Sequence, residues 1–456
     1  MVLLGVAWLL YFLVALVMKV FGWLGASEHV VNTVGQGIGN VVALILILIM
    51  VTATLLTMAE RKWSALMQDR VGPNRARLPI PGLSERPLKG IPHIGADVLK
   101  MLFKEDFIPG GADANRFLFN LAPLLAFAPA FCLFAVVPVG PEVTFWGERI
   151  ALQVARVDWG ILYVFAFASL AVFGTALAGW TSNNKLALLG GLRASAQLVS
   201  YEVTLGLTLV GAFIVFGTLR LDQMVAQQGA TEAMLRSAVR TGGSDASLVF
   251  GWLPGWGALF QPIGMVLFLV AAMAEIKRAP FDTPEGESEI IGYFLEYSGL
   301  KSGLFLIAEF AEVVVISGII TAIFLGGYHI PWIEPQLAGA LGFTALAVLQ
   351  VFAFMLKMLL LIWVQMIARW AFPRFRYDQI MRLGWKMMLP ISLINVVLSA
   401  GIWLWAGREG LAWMGIVEWI ALISYIALSA QAKGSAEPGS HSSTTTDAHA
   451  AATTTH

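Results

Sequence analysis

Cysteine is almost missing: Cys132 is the only one in 456 residues, and it lies inside an apolar run. One thiol excludes disulfides within the chain, cysteine-rich zinc sites and cysteine-ligated iron–sulfur clusters, so any redox centre would have to sit on another subunit. Histidine is sparse as well. Three of the six, His441, His449 and His456, fall in the C-terminal tail, and none stands at metal-ligand spacing, so no metal site is assigned. No glycine-rich phosphate loop follows a strand, and Gly206 and Gly211 read as small residues that let helices approach. No repeat with a period of about 20–50 residues is visible, nor an inverted repeat of the transporter kind. Charged residues make up only 13% and cancel to a formal net charge of zero, which gives no reason to expect nucleic acid as a partner.

What the chain has is apolar surface. A hydrophobic fraction of 58%, a mean hydropathy of +0.76, 16 Trp and 28 Phe lie far outside the soluble range and define a membrane protein. A helix needs about 20 mostly apolar residues to cross the hydrocarbon core. Ten candidate spans occur near 2–24, 38–59, 117–139, 159–180, 198–218, 258–276, 303–325, 341–368, 388–406 and 411–430. The expected fold is therefore an all-α, polytopic transmembrane bundle. The first span lacks a basic leader and a small-residue cleavage site and reads as a retained helix. Residues 1–430 form the integral membrane domain. The tail 431–456, rich in Ser, Thr, Ala and Gly, cannot bury enough surface to fold and reads as disordered.

Orientation follows from Lys and Arg in alternate loops. The loops 60–116, 181–197, 277–302 and 369–387 hold twenty, against six on the other side. The first set is assigned to the cytoplasm, and the even helix count leaves both termini there. Loop 219–257 reads as a solvated connector containing a short interfacial helix.

One cytoplasmic loop resists that bland reading. "EIKRAPFDTPEGESEIIGYFLEYSGLKSG" (275–303) carries Glu275, Asp282, Glu285, Glu287, Glu289 and Glu296 between two apolar runs. Pro280 and Pro284 stiffen it, with Lys277 and Arg278 facing Asp282. Thr283 before Pro284 reads as an N-cap, which predicts a helix with Glu285, Glu289 and Glu296 on one face. Carboxylates that close raise one another's pKa, and such a set can pass protons. Downstream, Glu309 and Glu312 sit inside an apolar helix, where a charge costs at least about 2.5–3.5 kcal/mol. Glu202 lies near the cytoplasmic end of another span, Glu60 ends the helix before Arg61, and Lys357 interrupts a later one. Each alone also fits a paired or snorkelling structural charge, most readily Lys357. Together they read as an ionisable path entering the membrane.

The segments "AERKWSALMQDRVGPNR" (59–75), "GADVLKMLFKED" (95–106), "LLGGLRASAQLVSYEV" (188–203), "AEIKRAPFDTPEGESEIIGYFLEYSGLK" (274–301), "FLIAEFAEV" (305–313) and "FPRFRYDQIMRLGWKMMLP" (372–390) closely resemble the H subunit of bacterial NADH:quinone oxidoreductase, the counterpart of subunit 1 of mitochondrial complex I. The resemblance implies eight family helices, with the N-terminal helix and a C-terminal one as additions. It implies a proton-pumping, multi-pass subunit of the bacterial inner membrane that binds no redox cofactor. Iron–sulfur clusters and FMN are then expected in partner subunits, with peripheral, small membrane and antiporter-like subunits as neighbours and quinone as substrate. Carried over, the quinone-tunnel positions are Glu60, Arg61, Arg70, Asp97, Arg278, Arg374 and Arg376, with Glu105 and Asp378 in matching motifs. The coupling positions are Glu202, Glu275, Asp282, Glu285, Glu287, Glu289, Glu296 and Glu309. The stretch 76–94 departs from the family pattern, which leaves the tunnel mouth open. Alternatives are a homologous subunit of an energy-converting hydrogenase, a stand-alone proton-coupled transporter and a structural anchor. The missing repeats weigh against the transporter and the buried acids against the anchor.

Overall fold

The computed structural model describes residues 2–25, 27–76, 90–109, 115–229, 255–286, 292–331, 334, 337 and 342–435. The tail from 436 onward, most of the 76–94 stretch, and Glu287 and Glu289 lie outside the described residues. Among the described residues, nine helices are long and apolar enough to cross a membrane, and one shorter apolar helix joins them. They are α1 (Val2–Trp23), α2 (Glu28–Met67), α4 (Arg116–Val136), α5 (Gly160–Thr181), α6 (Lys185–Phe216), α10 (Gly299–Phe324), α11 (Phe343–Ala371), α12 (Tyr377–Gly407) and α13 (Gly410–Leu428), with the shorter α9 (Pro262–Glu275). All ten expected spans thus find a helix. The remaining helices, α3 (Pro92–Phe103), α7 (Leu221–Gly229) and α8 (Gly257–Phe260), are not spans.

The bundle is organised around α10. Of its most apolar window 78% is buried inside the protein, more than in any other span, so α10 is the central post against which α2, α4 and α11 pack. A second row runs α4–α5–α6–α9, and α1 covers α2 and α11. Small residues set the spacing of that row. A Cβ on Gly174 would stand 2.5 Å from the Ala126 amide nitrogen, and one on Gly179 would stand 2.7 Å from the Ala187 carbonyl oxygen, so α5 meets its neighbours backbone to backbone.

Lys357 is a structural charge. Its ammonium donates to the carbonyls of Leu325, Gly327 and His329 at 2.7, 3.0 and 2.7 Å, closing the C-terminal end of α10, where a cation suits the helix dipole.

Four local expectations need correction. The span 258–276 is broken at Gln261 (φ −139°, ψ 61°), because Pro262 starts a new helix, α9. Helix α2 does not end at Glu60 but runs to Met67, since Glu60 is buried against cationic partners rather than facing water. Glu202 sits at the middle of the 32-residue α6, not near its end. No helix starts at Thr283: residues 281–286 and 292–298 are non-helical. The Thr283 hydroxyl donates 2.8 Å to the Gln197 side chain instead of capping its own backbone. Gly292, at φ +137°, takes a conformation closed to other residues, and its strand of chain lies flat on Gly190 of α6. A hairpin, β1 (Val143–Phe145) with β2 (Glu148–Ile150), went unpredicted; Trp146 and Gly147, both at positive φ, make its tight turn.

Candidate functional site: a cationic chamber beside buried carboxylates

Helix α9 ends at Glu275, and the chain leaves it through Lys277 at φ +61°, a left-handed backbone that costs a non-glycine residue about 1–2 kcal/mol. Lys277 is only 4% exposed, with its ammonium 5.7 Å above the Tyr293 ring. Burial works against its charge, but Glu312, Glu309, Glu285 and Glu275 surround it and hold the ammonium above its ordinary pKa. These side chains come from α9, the acidic loop and α10. Glu202 of α6 lies within Coulomb range of Glu275 and accepts a hydrogen bond from Ser169 of α5.

Within this cluster, Glu285 of the loop lies in the field of Glu309 of α10 and beside Tyr293. Like charges held that close in a buried site favour a proton on one of them. Burial, the neighbouring Glu309 and Asp282 hold Glu285 well above the usual carboxylate range. An exposed carboxylate loses its proton first, so the fold loses stability as pH rises from that ordinary range toward the Glu285 value. Infrared spectra of the protein at neutral pH are expected to show a protonated-carboxyl band that vanishes in Glu285→Gln. A band unchanged in that variant would assign the proton elsewhere.

Beside the cluster lies a chamber of about 440 Å³, lined by Glu60, Arg61, Arg70 and Arg369 on one part and Leu306 and Phe310 on another. Glu60 holds two guanidinium groups: Arg278 at 2.8 Å and Arg369. Arg278 also stacks 3.9 Å over the Phe310 ring, so one side chain spans from the chamber wall toward the carboxylates. Arg61 bonds Asp97 of α3 at 2.5 Å, which ties the α3 segment to the chamber mouth.

Glu60, Arg61 and Arg70 thus line one chamber, Arg278 joins it through Glu60, and Glu202, Glu275, Glu285 and Glu309 form one cluster. Asp282 takes Arg374, from the segment after α11, as an ion-pair partner at 2.8 Å and stays within Coulomb range of Arg278, whose own ion pair is with Glu60. Glu296 stands apart, accepting 2.8 Å from Asn184, the residue that caps α6. Arg376 pairs with its neighbour Asp378 at 3.2 Å on the surface, and Glu105 lends only its backbone carbonyl, to Ser298. Sequence reasoning missed Arg369 and Tyr293. Arg369 counted only as a topogenic charge, although its place at the end of an apolar helix, just before "FPRFRYDQ", was a usable signal. Gln197 was missed too; it donates to the carbonyls of Ala274 and Phe281 at 2.7 and 2.9 Å and so fixes the start of the acidic loop. Among the described residues, no group of three His, Cys, Asp or Glu side chains is placed to hold a metal ion.

These features define a multi-pass helical membrane protein built around ionisable groups inside its bundle. The family described as NADH dehydrogenase matches residues 40–400. The H 1 subunit of NADH-quinone oxidoreductase from Geobacter metallireducens is 41% identical over 79% of this chain and 94% of the relative. The H 1 subunit from Cytophaga hutchinsonii is 40% identical over 77% and 92%, and the H subunit from Salinibacter ruber 39% over 77% and 91%. The chain belongs to this family, the H-type membrane subunits of NADH-quinone oxidoreductase.

Proposed function

We propose that this subunit admits quinone to the chamber beside Glu60 and couples its reduction to proton movement through the buried carboxylates. The observation that carries the reading is Arg278, whose guanidinium bonds Glu60 on the chamber wall and lies within the field of Glu309, Glu285, Glu312 and Asp282. A chamber with an apolar wall and a cationic wall suits a lipid-soluble ring that gains negative charge on reduction. Electrons arriving on quinone would draw on Arg61, Arg70 and Arg369, and the field change would reach Glu285 and Glu309 through Arg278. The proton then passes along Glu285, Glu309, Glu312, Glu275 and Glu202, across three helices and the loop. Glu287, Glu289 and Glu296, from the same acidic segment of the sequence, are assigned to the same coupling role, while Asp282 and Arg374 hold the loop down.

The chain would act in the inner membrane of a bacterium, with iron–sulfur clusters and FMN on partner subunits that dock on the side rich in Lys and Arg. This expectation follows from the single cysteine and from the relatives' names. Leu306→Trp, which fills the apolar wall, tests the chamber. NADH oxidation with a quinone acceptor is expected to fall several-fold, with KM for quinone raised, while NADH oxidation with hexacyanoferrate, which needs no membrane chamber, stays at the wild-type rate. Equal quinone rates in variant and wild type would refute the chamber assignment.

A further inference from the structure

A second cavity, of about 520 Å³, lies away from the chamber, between α12, α13 and the start of α9. Its walls are apolar, with Ile394 and Leu398 of α12 and Trp413 and Val417 of α13 open on the outer, lipid-facing side. Two polar side chains line it at depth: Asn395 is 4% exposed and Glu418 is 6% exposed. Glu418 Oε2 accepts from the Ile263 amide at 3.2 Å, and Asn395 Nδ2 donates to Gln261 Oε1 at 2.8 Å beside Gly264. Those bonds use one end of each group. Glu418 Oε1 and Asn395 Oδ1 are buried and have no hydrogen-bond partner among the described residues.

A buried carboxylate in a bilayer is costly, and an unmade hydrogen bond adds about 1–3 kcal/mol for each such atom. A structural cap for α9 needs only Glu418 Oε2 and leaves both orphaned oxygens unexplained. The amide orientation of Asn395 is set by its donation to Gln261, so Oδ1 must accept. Glu418 Oε1 accepts when ionised and can donate when protonated. When Glu418 is protonated, one hydroxyl serves both atoms, donating its single proton to Asn395 and accepting from Glu418. A carbonyl cannot donate to Asn395, and the exposed apolar side chains of Ile394, Leu398 and Val417 around the cavity favour an apolar occupant over water. We infer that this cavity binds a lipophilic alcohol or phenol, its hydroxyl held by Asn395 and Glu418 and its apolar body lying along Ile394, Leu398 and Trp413. Its volume suits a small ligand or one ring with part of a tail. The α13 wall lies beyond residue 400, where the family match ends, so the site is an addition to the shared bundle. Two sources share the chemistry: a reduced quinone, which carries phenolic hydroxyls where the oxidised ring carries only carbonyls, and a hydroxylated membrane lipid. The inference does not depend on the chamber reading.

The test uses the intact complex in nanodiscs and three photoreactive probes of matched tail: a quinol, an aliphatic isoprenoid alcohol and a methyl ether lacking any hydroxyl. Labelled positions are read by peptide mass spectrometry. The quinol, the alcohol or both are expected to label the Ile391–Glu418 region at least fivefold above the ether. That labelling should fall to the ether level in Asn395→Leu and persist in Glu418→Gln. Val417→Trp, which fills the cavity without touching the polar pair, should abolish labelling in a complex that still assembles, and so separates loss of site from loss of fold. Labelling by quinol alone identifies a reduced-quinone site, and labelling by the alcohol alone or by both identifies a general lipid-hydroxyl site. Equal labelling by the ether, or labelling unchanged in Asn395→Leu and Val417→Trp, would overturn the inference.

Discussion

Glu309→Gln in the assembled complex is expected to cut quinone-linked NADH oxidation and proton pumping together by about a hundredfold or more, the low end for losing a positioned proton-transfer group. The substitution is small in shape. Packing in α10 therefore survives. What it cannot do is change charge, and Glu309 is the residue through which the loop acid Glu285 meets the acids of the membrane helices. The hexacyanoferrate rate should stay at the wild-type level, which locates the loss at quinone chemistry or beyond it. Wild-type turnover with wild-type pumping in Glu309→Gln would end the relay reading.

Arg278→Met carries the other large effect, on stability and assembly. Methionine keeps an apolar contact with Phe310 but removes one of the two guanidinium groups that hold the buried Glu60. Breaking one partner of a buried ion pair costs about 3–5 kcal/mol, because the remaining charge is stranded. The protein should therefore be scarce in membranes, read by immunoblot and by native gel of the complex. In the double variant Arg278→Met, Glu60→Leu the stranded carboxylate is gone, so assembly should recover while the quinone rate does not. Normal assembly of the single variant would show that Arg369 alone suffices for Glu60 and that the pair is not what holds this corner together.

Nine of the ten spans were readable because length and apolarity alone decide whether a segment can cross a bilayer; the tenth, 258–276, is split at Gln261 and leaves the shorter α9. The chemistry-bearing residues were readable for a related reason: a carboxylate such as Glu309 or Glu202 in an apolar run is too costly to be neutral. Their arrangement was not. The sequence pattern of Glu285, Glu289 and Glu296 fits one helical face, yet the described part of that loop is non-helical and passes over Gly190 of α6, and Glu285 and Glu296 find different partners, Glu309 and Asn184. Local propensity favoured a helix start at Thr283, and the Gln197 side chain, 86 positions away in the chain, prevailed over it. Arg369 was hard to single out because its position after an apolar run marks only a helix end, while its role comes from the distant Glu60 it bonds.

By itself, then, the sequence determined the membrane, the helix count and the set of groups able to carry charge, since all three follow from the cost of placing polar atoms in hydrocarbon. Tertiary structure alone decided which charges share a chamber, which carboxyls are brought together and which lysine closes a helix. Those depend on contacts between segments scores to hundreds of residues apart, such as Arg278 with Glu60 and Lys357 with the end of α10, and no local pattern encodes a partner at that separation.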